Sequence, residues 1–313
     1  MARIPPAVAA VRLAVRRALP ADGLVLVACS GGADSLALAA AARFVGPSVG
    51  LVTVDHGLQT GSAGRAAELA AWASTAGLDP VLVETVSVAG RPGGPEAAAR
   101  EARYAALSSA ASRVGAAAVL LGHTRDDQAE TVLLALARGA GPRGLAGMPF
   151  RRGLFLRPLL DVARADTRKA CAALGLVPWE DPHNSDPAFA RSRVRASALP
   201  ALVETLGPAV VANLARSAEL IAADNEELDR QAASALGEAA ELLVADLLVM
   251  PRAIRRRVLH MWARHLGAPG SALSHRHVAA LDALVTEWHG QGPVHLPGGI
   301  QVTREKDILL RVP

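Results

Sequence analysis

The 313-residue chain holds only two cysteines, Cys29 and Cys171. They form no CxxC pair, which argues against a disulfide framework and against a structural zinc site. Aromatic residues make up only 3%, so rings for stacking on bases are scarce. No apolar run approaches the ~18 residues needed to span a bilayer. The first segment, MARIPPAVAAVRLAVRRALP, lacks the layout of a signal peptide and reads as an amphipathic helix. Cytoplasm is the expected compartment, with no membrane partner. Lysine is almost missing too, with Lys169 and Lys306 the only two. The positive charge is therefore arginine, which suits bidentate phosphate contacts. A compositional bias toward Arg and Ala explains the abundance equally well, so abundance alone does not identify a nucleic-acid partner.

Half of the residues are hydrophobic, at 51%, and 20% are charged, which supports a large core. The net charge of +4 is uneven. Residues 1–205 carry 22 Lys and Arg against 17 Asp and Glu, and residues 206–313 carry 11 against 12. Continuous apolar runs at 24–28, 49–54, 80–86 and 117–121 read as strands buried on both faces. Helical segments at 34–45, 62–77, 95–114 and 125–138 alternate with them. The expected fold class is α/β, a parallel sheet with helices on both faces. A smaller, mainly helical C-terminal domain with terminal short strands follows. Residues 138–153 are rich in glycine and proline and read as a loop, and a domain boundary is expected near 205.

Ligands of such sheets sit beyond the carboxyl ends of the strands, and every strand end here is polar. CSGGADS, residues 29–35, closes the first strand and opens a helix. Glycines there permit close backbone approach, and successive N–H groups at a helix N-terminus form an anion site for phosphate or pyrophosphate. Ser30 and Ser35 add hydroxyls. Asp34 fits beside phosphate if Mg²⁺ bridges the two. The plainer alternative is a helix cap by Ser30 or Asp34. The loop is neither a Walker A sequence nor a GxGxxG fingerprint.

SGGxDS after a hydrophobic strand resembles the pyrophosphate loop of the PP-loop, or N-type, ATP pyrophosphatases. Further stretches narrow the resemblance: TVDHGL (53–58), PEAAAREARYAAL (95–107), LGHTRDDQAETVLLALARGAGPRGLAGM (121–148), LRPLL (156–160) and WEDPHNSDPAFARSRVRASALPAL (179–202). In this order they resemble the tRNA(Ile)-lysidine synthase family over most of residues 20–205, in its short form. The resemblance implies a ligase that uses ATP and Mg²⁺. It would adenylate the C2 oxygen of the wobble cytidine in an isoleucine tRNA with a CAU anticodon. L-lysine would then displace AMP to give lysidine. Residues 1–205 would be the catalytic domain and 206–313 a tRNA-binding or accessory domain. The oligomeric state stays open, with a homodimer among the options.

The resemblance places nucleotide contacts at Ser30, Gly31, Gly32, Ala33, Asp34, Ser35, His56 and His123, and the metal at Asp34. Catalytic candidates are Asp34, Arg100, Asp127 and Glu130. Candidates for substrate or tRNA contact are Arg103, Asp126, Arg138, Arg143, Arg191 and Arg195. Several carry a second reading. The carboxylates Asp126, Asp127 and Glu130 can hold Mg²⁺ or receive lysine and its proton, or simply form an acidic first helical turn. His56 contacts nucleotide or satisfies a turn. Arg100 and Arg103 stabilise developing phosphate charge or form a solvated face. Arg191 and Arg195 share a helix face for tRNA, or are solvated, while Arg193 points elsewhere. Arginines 255–257 read as a solvated stretch. Two positions depart from the family habit: Gln59, often basic, and Ser192, often Asn. A 2-thiolating PP-loop enzyme is disfavoured by the lack of paired cysteines. A nucleotide-binding module without catalysis would have no use for DDQAET.

Overall fold

The computed structural model describes residues 4–57, 61–87, 95–181, 186–270 and 272–312. Gln59 and residues 182–185 of WEDPHNSD lie outside them. The chain divides into two compact units, Met1–Ile221 and Ala222–Pro313.

The first unit opens with the amphipathic helix α1 (Pro6–Ala18), whose Val8, Val11 and Val15 are buried at helical spacing. Then strands and helices alternate: β1 (Val25–Ala28), α2 (Ala33–Val45), β2 (Val49–Asp55), α3 (Ser62–Thr75), β3 (Val81–Thr85), α4 (Pro95–Arg113), β4 (Ala118–Leu121) and α5 (Arg125–Ala137). Strands β3, β2, β1 and β4 lie side by side and parallel. The register sets Val25 beside Val49 and Ala118. Period-two alternation divides each strand between two cores. Val25, Val27 and Leu51 pack with α1 and α2, while Leu26, Val52 and Val119 pack with Leu107 and Ala110 of α4. Helices therefore cover both faces of β1, β2 and β4, which read as unbroken apolar runs, whereas β3, at the sheet edge, is not buried on both faces as its run suggested.

The Gly/Pro-rich stretch is not entirely loop. It contains the short helix α6 (Pro142–Leu145) and strand β5 (Arg151–Arg152), which pairs antiparallel with β6 (Phe155–Leu156). β6 joins the sheet parallel to β4. Pro142 sits at the N-terminus of α6, where its missing N–H costs nothing. The buried Gln128 side chain pins this stretch, since Nε2 donates to the Met148 carbonyl at 3.0 Å and Oε1 accepts from Met148 N–H at 2.8 Å. Helix α7 (Arg164–Ala173) lies against α1 and α2. It is followed by α8 (Ala190–Arg193), a π-helical turn (Val194–Ala198), α9 (Leu199–Leu206) and the long α10 (Val210–Leu236).

The second unit takes in the end of α10. Strand β7 (Leu242–Leu243) and helices α11 (Val244–Val249), α12 (Arg252–His265) and α13 (His275–Thr286) come next, then β8 (Val294–Leu296), β9 (Ile300–Glu305) and β10 (Ile308–Arg311). The four strands form an antiparallel sheet in the order β7-β10-β9-β8. Its core gathers around Trp262, Leu259, Leu281 and Leu309. Arginines 255–257 are not a solvated stretch. Arg255 and Arg256 grip Asp282 at 2.6 and 2.9 Å, and Arg257 binds Asn225 and Asp229. Among the described residues, no single helix is long and apolar enough to cross a membrane.

Candidate active site

A cleft of about 970 Å³ opens at the carboxyl ends of β1, β2 and β4. Its floor is the β1–α2 turn, residues 29–35. Gly31 has φ of +83°, a conformation that favours glycine. Ser35 organises the turn. Its Oγ donates to the Gly32 carbonyl at 2.9 Å and accepts from Ser30 N–H at 3.2 Å. The helix cap is Gly32, and no side chain caps α2. Neither Ser30 nor Asp34 therefore serves as the cap, and the first-turn N–H groups remain for an anion. Behind the turn, a Cβ on Gly122 would stand 3.3 Å from the backbone of Asp34 and Ser35, so β4 presses directly on the loop. Across the cleft, Trp179 N–H donates to the Gly31 carbonyl at 3.0 Å, and the Arg65 guanidinium lies 4.5 Å from the Trp179 ring centroid.

Beside this turn stands a network of acids and arginines. Glu130 is fully buried. Its Oε1 accepts from Arg164 at 3.0 Å and Arg195 at 2.8 Å, and its Oε2 accepts from Arg195 at 2.9 Å, with Arg191 Nε 3.8 Å away. Asp127 does two jobs. Oδ2 accepts from Thr124 N–H at 2.8 Å, completing a capping box. Oδ1 accepts from Arg164 at 2.7 Å and Arg195 at 3.2 Å. Burial alone would raise the Asp127 pKa, but Arg164 and the Thr124 N–H outweigh it and hold it below the usual carboxylate range. Arg164 also reaches Asp34, with Nε to Oδ2 at 3.7 Å, and Thr167 bonds Asp34 Oδ1. Burial pushes the Asp34 pKa up despite Thr167.

Helix α7 thus ties the phosphate turn to the acidic turn of α5. Arg164 and Thr167, one helical turn apart, carry that link, and neither was singled out from sequence. Asp126 has a structural task, since its Oδ2 accepts the Arg164 N–H at 2.8 Å at the start of α7. Asp126→Ala is expected to cost about 1 kcal/mol as a lost helix cap, measured by urea unfolding. Arg191 and Arg195 do share one face, and Arg193 instead donates to the Pro187 and Ala188 carbonyls. Arg191 Nη2 also donates to Thr131 at 3.0 Å. Ser192, between them, is buried. Arg138 and Arg143 are exposed and outside the cleft.

His56, His123, Arg100 and Arg103 also line the cleft, with His56 just past β2 and His123 just past β4, the two neighbours of β1. Burial, with Arg103 nearby, lowers the His56 pKa. Burial pushes His123 down to about 3, with Asp127 opposing, and its buried Nδ1 has no hydrogen-bond partner among the described residues. His123 is therefore neutral in the folded state and protonates near pH 6.5 when unfolded. Stability is expected to fall from this group as pH drops from about 6.5 toward 3, because the unfolded chain binds the extra proton. A flat His123 imidazole NMR shift from pH 5 to 8 would check this; a titration near 6.5 would contradict it.

The sequence comparisons agree with this geometry. A PP-loop domain profile matches residues 11–202, and a TilS substrate binding domain profile matches residues 242–310. The tRNA(Ile)-lysidine synthase of Salinispora tropica is 65% identical over 97% of this chain and 96% of its own length. The chain belongs to the tRNA(Ile)-lysidine synthase family. Members from Thermobifida fusca and Streptomyces coelicolor share 57% and 51% identity, over 94% and 96% of this chain and the same shares of their own lengths. The U34-tRNA thiolase NcsA of Methanococcus maripaludis, a protein with a [4Fe-4S] cluster, shares the fold. Its TM-score is 0.55 at 18% identity, covering 69% of this chain and 80% of the thiolase. In contrast with a cluster protein, this lysidine-synthase family member has only two cysteines, both free and buried. Family membership makes the chain an ATP-using ligase of the C–N bond-forming kind.

Proposed function

We propose that the cleft joins L-lysine to C2 of the wobble cytidine of isoleucine tRNA with a CAU anticodon, in two steps. In the first, the cytidine C2 oxygen attacks the α-phosphorus of ATP and pyrophosphate leaves. In the second, a lysine amine attacks C2, AMP leaves with the oxygen, and the amine loses a proton. The observation that carries this reading is the uncapped start of α2, sharing one cleft with the Asp127–Arg164 network. A phosphate site alone would suit a binding module; an acid–arginine network beside it suits an amine nucleophile.

In this reading the N–H groups of residues 31–35 and the Ser30 hydroxyl cradle pyrophosphate. Arg100 and Arg103 meet the charge that develops as it leaves. Asp127 and Glu130 receive the lysine ammonium and the released proton. Arg191 and Arg195, about a third exposed at 31% and 33%, are the partners that an incoming ammonium can replace; Arg164, at 16%, is the fixed one. No group of three His, Cys, Asp or Glu among the described residues forms a protein cage for a metal. Asp34 is the carboxylate of the phosphate turn itself, which fits Mg²⁺, an ion held by one or two carboxylates plus substrate phosphates. Mg²⁺ would neutralise phosphate charge there. The exposed Arg138 and Arg143 are assigned to tRNA phosphates outside the cleft. Residues 1–205 act as the catalytic domain, residues 206–313 as the tRNA-binding or accessory domain, and the cytoplasm is the setting. The test is nucleoside analysis of isoleucine tRNA after incubation with ATP, Mg²⁺ and lysine. Lysidine at the first anticodon position supports the reading, and unmodified cytidine there refutes it.

A further inference from the structure

Beyond the phosphate turn and the acid network, one dense cluster contains two residues, Tyr104 and Arg157, that have no assigned part. It surrounds Tyr104, the only tyrosine in the chain. Helix α4 places Arg100, Arg103, Tyr104 and Leu107 along one face at helical spacing. The tyrosine ring packs edge-on against Phe155, with centroids 4.8 Å apart. The Arg100 guanidinium lies 5.1 Å from the ring centroid and that of Arg103 lies 5.7 Å away. The hydroxyl accepts from Arg157 Nη2 at 3.2 Å and from Arg100 Nη2 at 3.5 Å. Arg157 is only 2% exposed, and its Nη1 is fixed to the Pro149 carbonyl at 2.7 Å. Its Nε is buried without a hydrogen-bond partner among the described residues.

Among the described residues no carboxylate pairs with Arg100, Arg103 or Arg157. Three guanidiniums thus share one phenol and no counter-ion. Such a cluster is costly unless oxygen dipoles, π faces or a bound anion compensate it. Two of the three, Arg100 and Arg103, line the same cleft as the phosphate turn, whereas Tyr104 and Arg157 are not among its lining residues. The edge-on stack on Phe155 needs only the ring. The hydroxyl serves the arginines.

We propose that Tyr104 is a positioning residue that aims Arg100 and Arg103 at the departing pyrophosphate, with buried Arg157 as its anchor. The proposal rests on the adenylation reading above. Its electrostatic consequence agrees with it. Burial raises the Tyr104 pKa, but Arg100 and Arg157 outweigh burial and hold it below the usual phenol value.

The test measures steady-state pyrophosphate release with ATP, Mg²⁺, L-lysine and isoleucine tRNA for wild type, Tyr104→Phe and Tyr104→Leu. Tyr104→Phe keeps the ring and loses the anchor, so kcat should fall about 10-fold, with KM for ATP within about two-fold, and Tyr104→Leu should fall about 100-fold. A Tyr104→Phe enzyme equal to wild type in both constants overturns the proposal. A wild type that releases no pyrophosphate overturns the adenylation reading instead. A second measurement needs no turnover. Phenolate absorbance at 295 nm reports Tyr104 alone, and a midpoint below the ordinary value of about 10 is expected. A midpoint at or above 10 removes the guanidinium cluster, and the proposal with it.

Discussion

Asp34→Ala is expected to lower AMP formation by about 100- to 1,000-fold, the usual loss when one preorganised electrostatic group is removed from a transition state. Asp34 is the carboxylate on the phosphate turn itself, bonded to Thr167 and 3.7 Å from Arg164 Nε. Without it, the turn itself, residues 29–35, offers Mg²⁺ no carboxylate. The same change should not weaken the fold. Burial raises the Asp34 pKa, so the folded state holds its proton to higher pH than the unfolded chain does. Stability from this group is therefore lost as pH rises through the unfolded value of about 3.9 toward the folded one. At neutral pH the carboxylate is a liability, and Asp34→Asn should melt at or above the wild-type temperature while losing activity. Retained pyrophosphate release in Asp34→Ala would contradict the assignment. A large fall in melting temperature for Asp34→Asn would contradict the electrostatic account.

Glu130→Ala is expected to do the reverse to stability. Glu130 is fully buried and bonds Arg164 and Arg195, with Arg191 close. Truncating one member of a buried ion pair strands its partners, at about 3–5 kcal/mol in fully buried cases. The loss here should fall toward the low end or below it, because Arg191 and Arg195 are about a third exposed and can turn to water. Arg164, at 16% exposure, cannot turn as easily, although Asp127 and Asp34 still hold it. Activity should fall with stability, since the amine site loses a carboxylate. Urea unfolding and the KM for lysine measure the two effects separately. Wild-type values for both would remove Glu130 from the site.

The contrast between these two acids shows what the sequence revealed and what it hid. The apolar runs at 24–28, 49–54, 80–86 and 117–121 became four parallel strands, three of them buried as expected, while the run at 80–86 became the edge strand β3, with Val83 exposed. The phosphate turn and the acidic turn were readable because each is local: CSGGADS and RDDQAE are contiguous. Asp126, Asp127 and Glu130 looked alike along the helix. The fold separates them by what lies across from each: a backbone N–H of α7 for Asp126, a capping box plus two arginines for Asp127, and an arginine cage for Glu130. Apart from Thr124 of the capping box, three residues away, those partners lie more than thirty residues away, beyond any periodicity.

Arg164 and Thr167 were missed for the same reason. In ARADTRKACAAL they read as the polar side of an ordinary helix, and only the packing of α7 on α2 turns them toward Asp34. The arginines at 255–257 erred the other way. A charged run usually means solvent, yet Asp282 on α13 takes two of them. The antiparallel edge strand β5 and the short helix α6 were hidden inside a stretch whose glycines and prolines signal turns. The buried Gln128 that orders this stretch sits twenty residues away.

The central claim is that the phosphate turn and the acid–arginine network act on one substrate in sequence. It is tested most directly by AMP release from ATP on isoleucine tRNA with a CAU anticodon, with and without L-lysine. The same assay runs on a tRNA whose first anticodon base is uridine. The expected result is rapid AMP release only when lysine and the cytidine-bearing tRNA are both present. Tight ATP binding without AMP release, or equal release on both tRNAs, would contradict it.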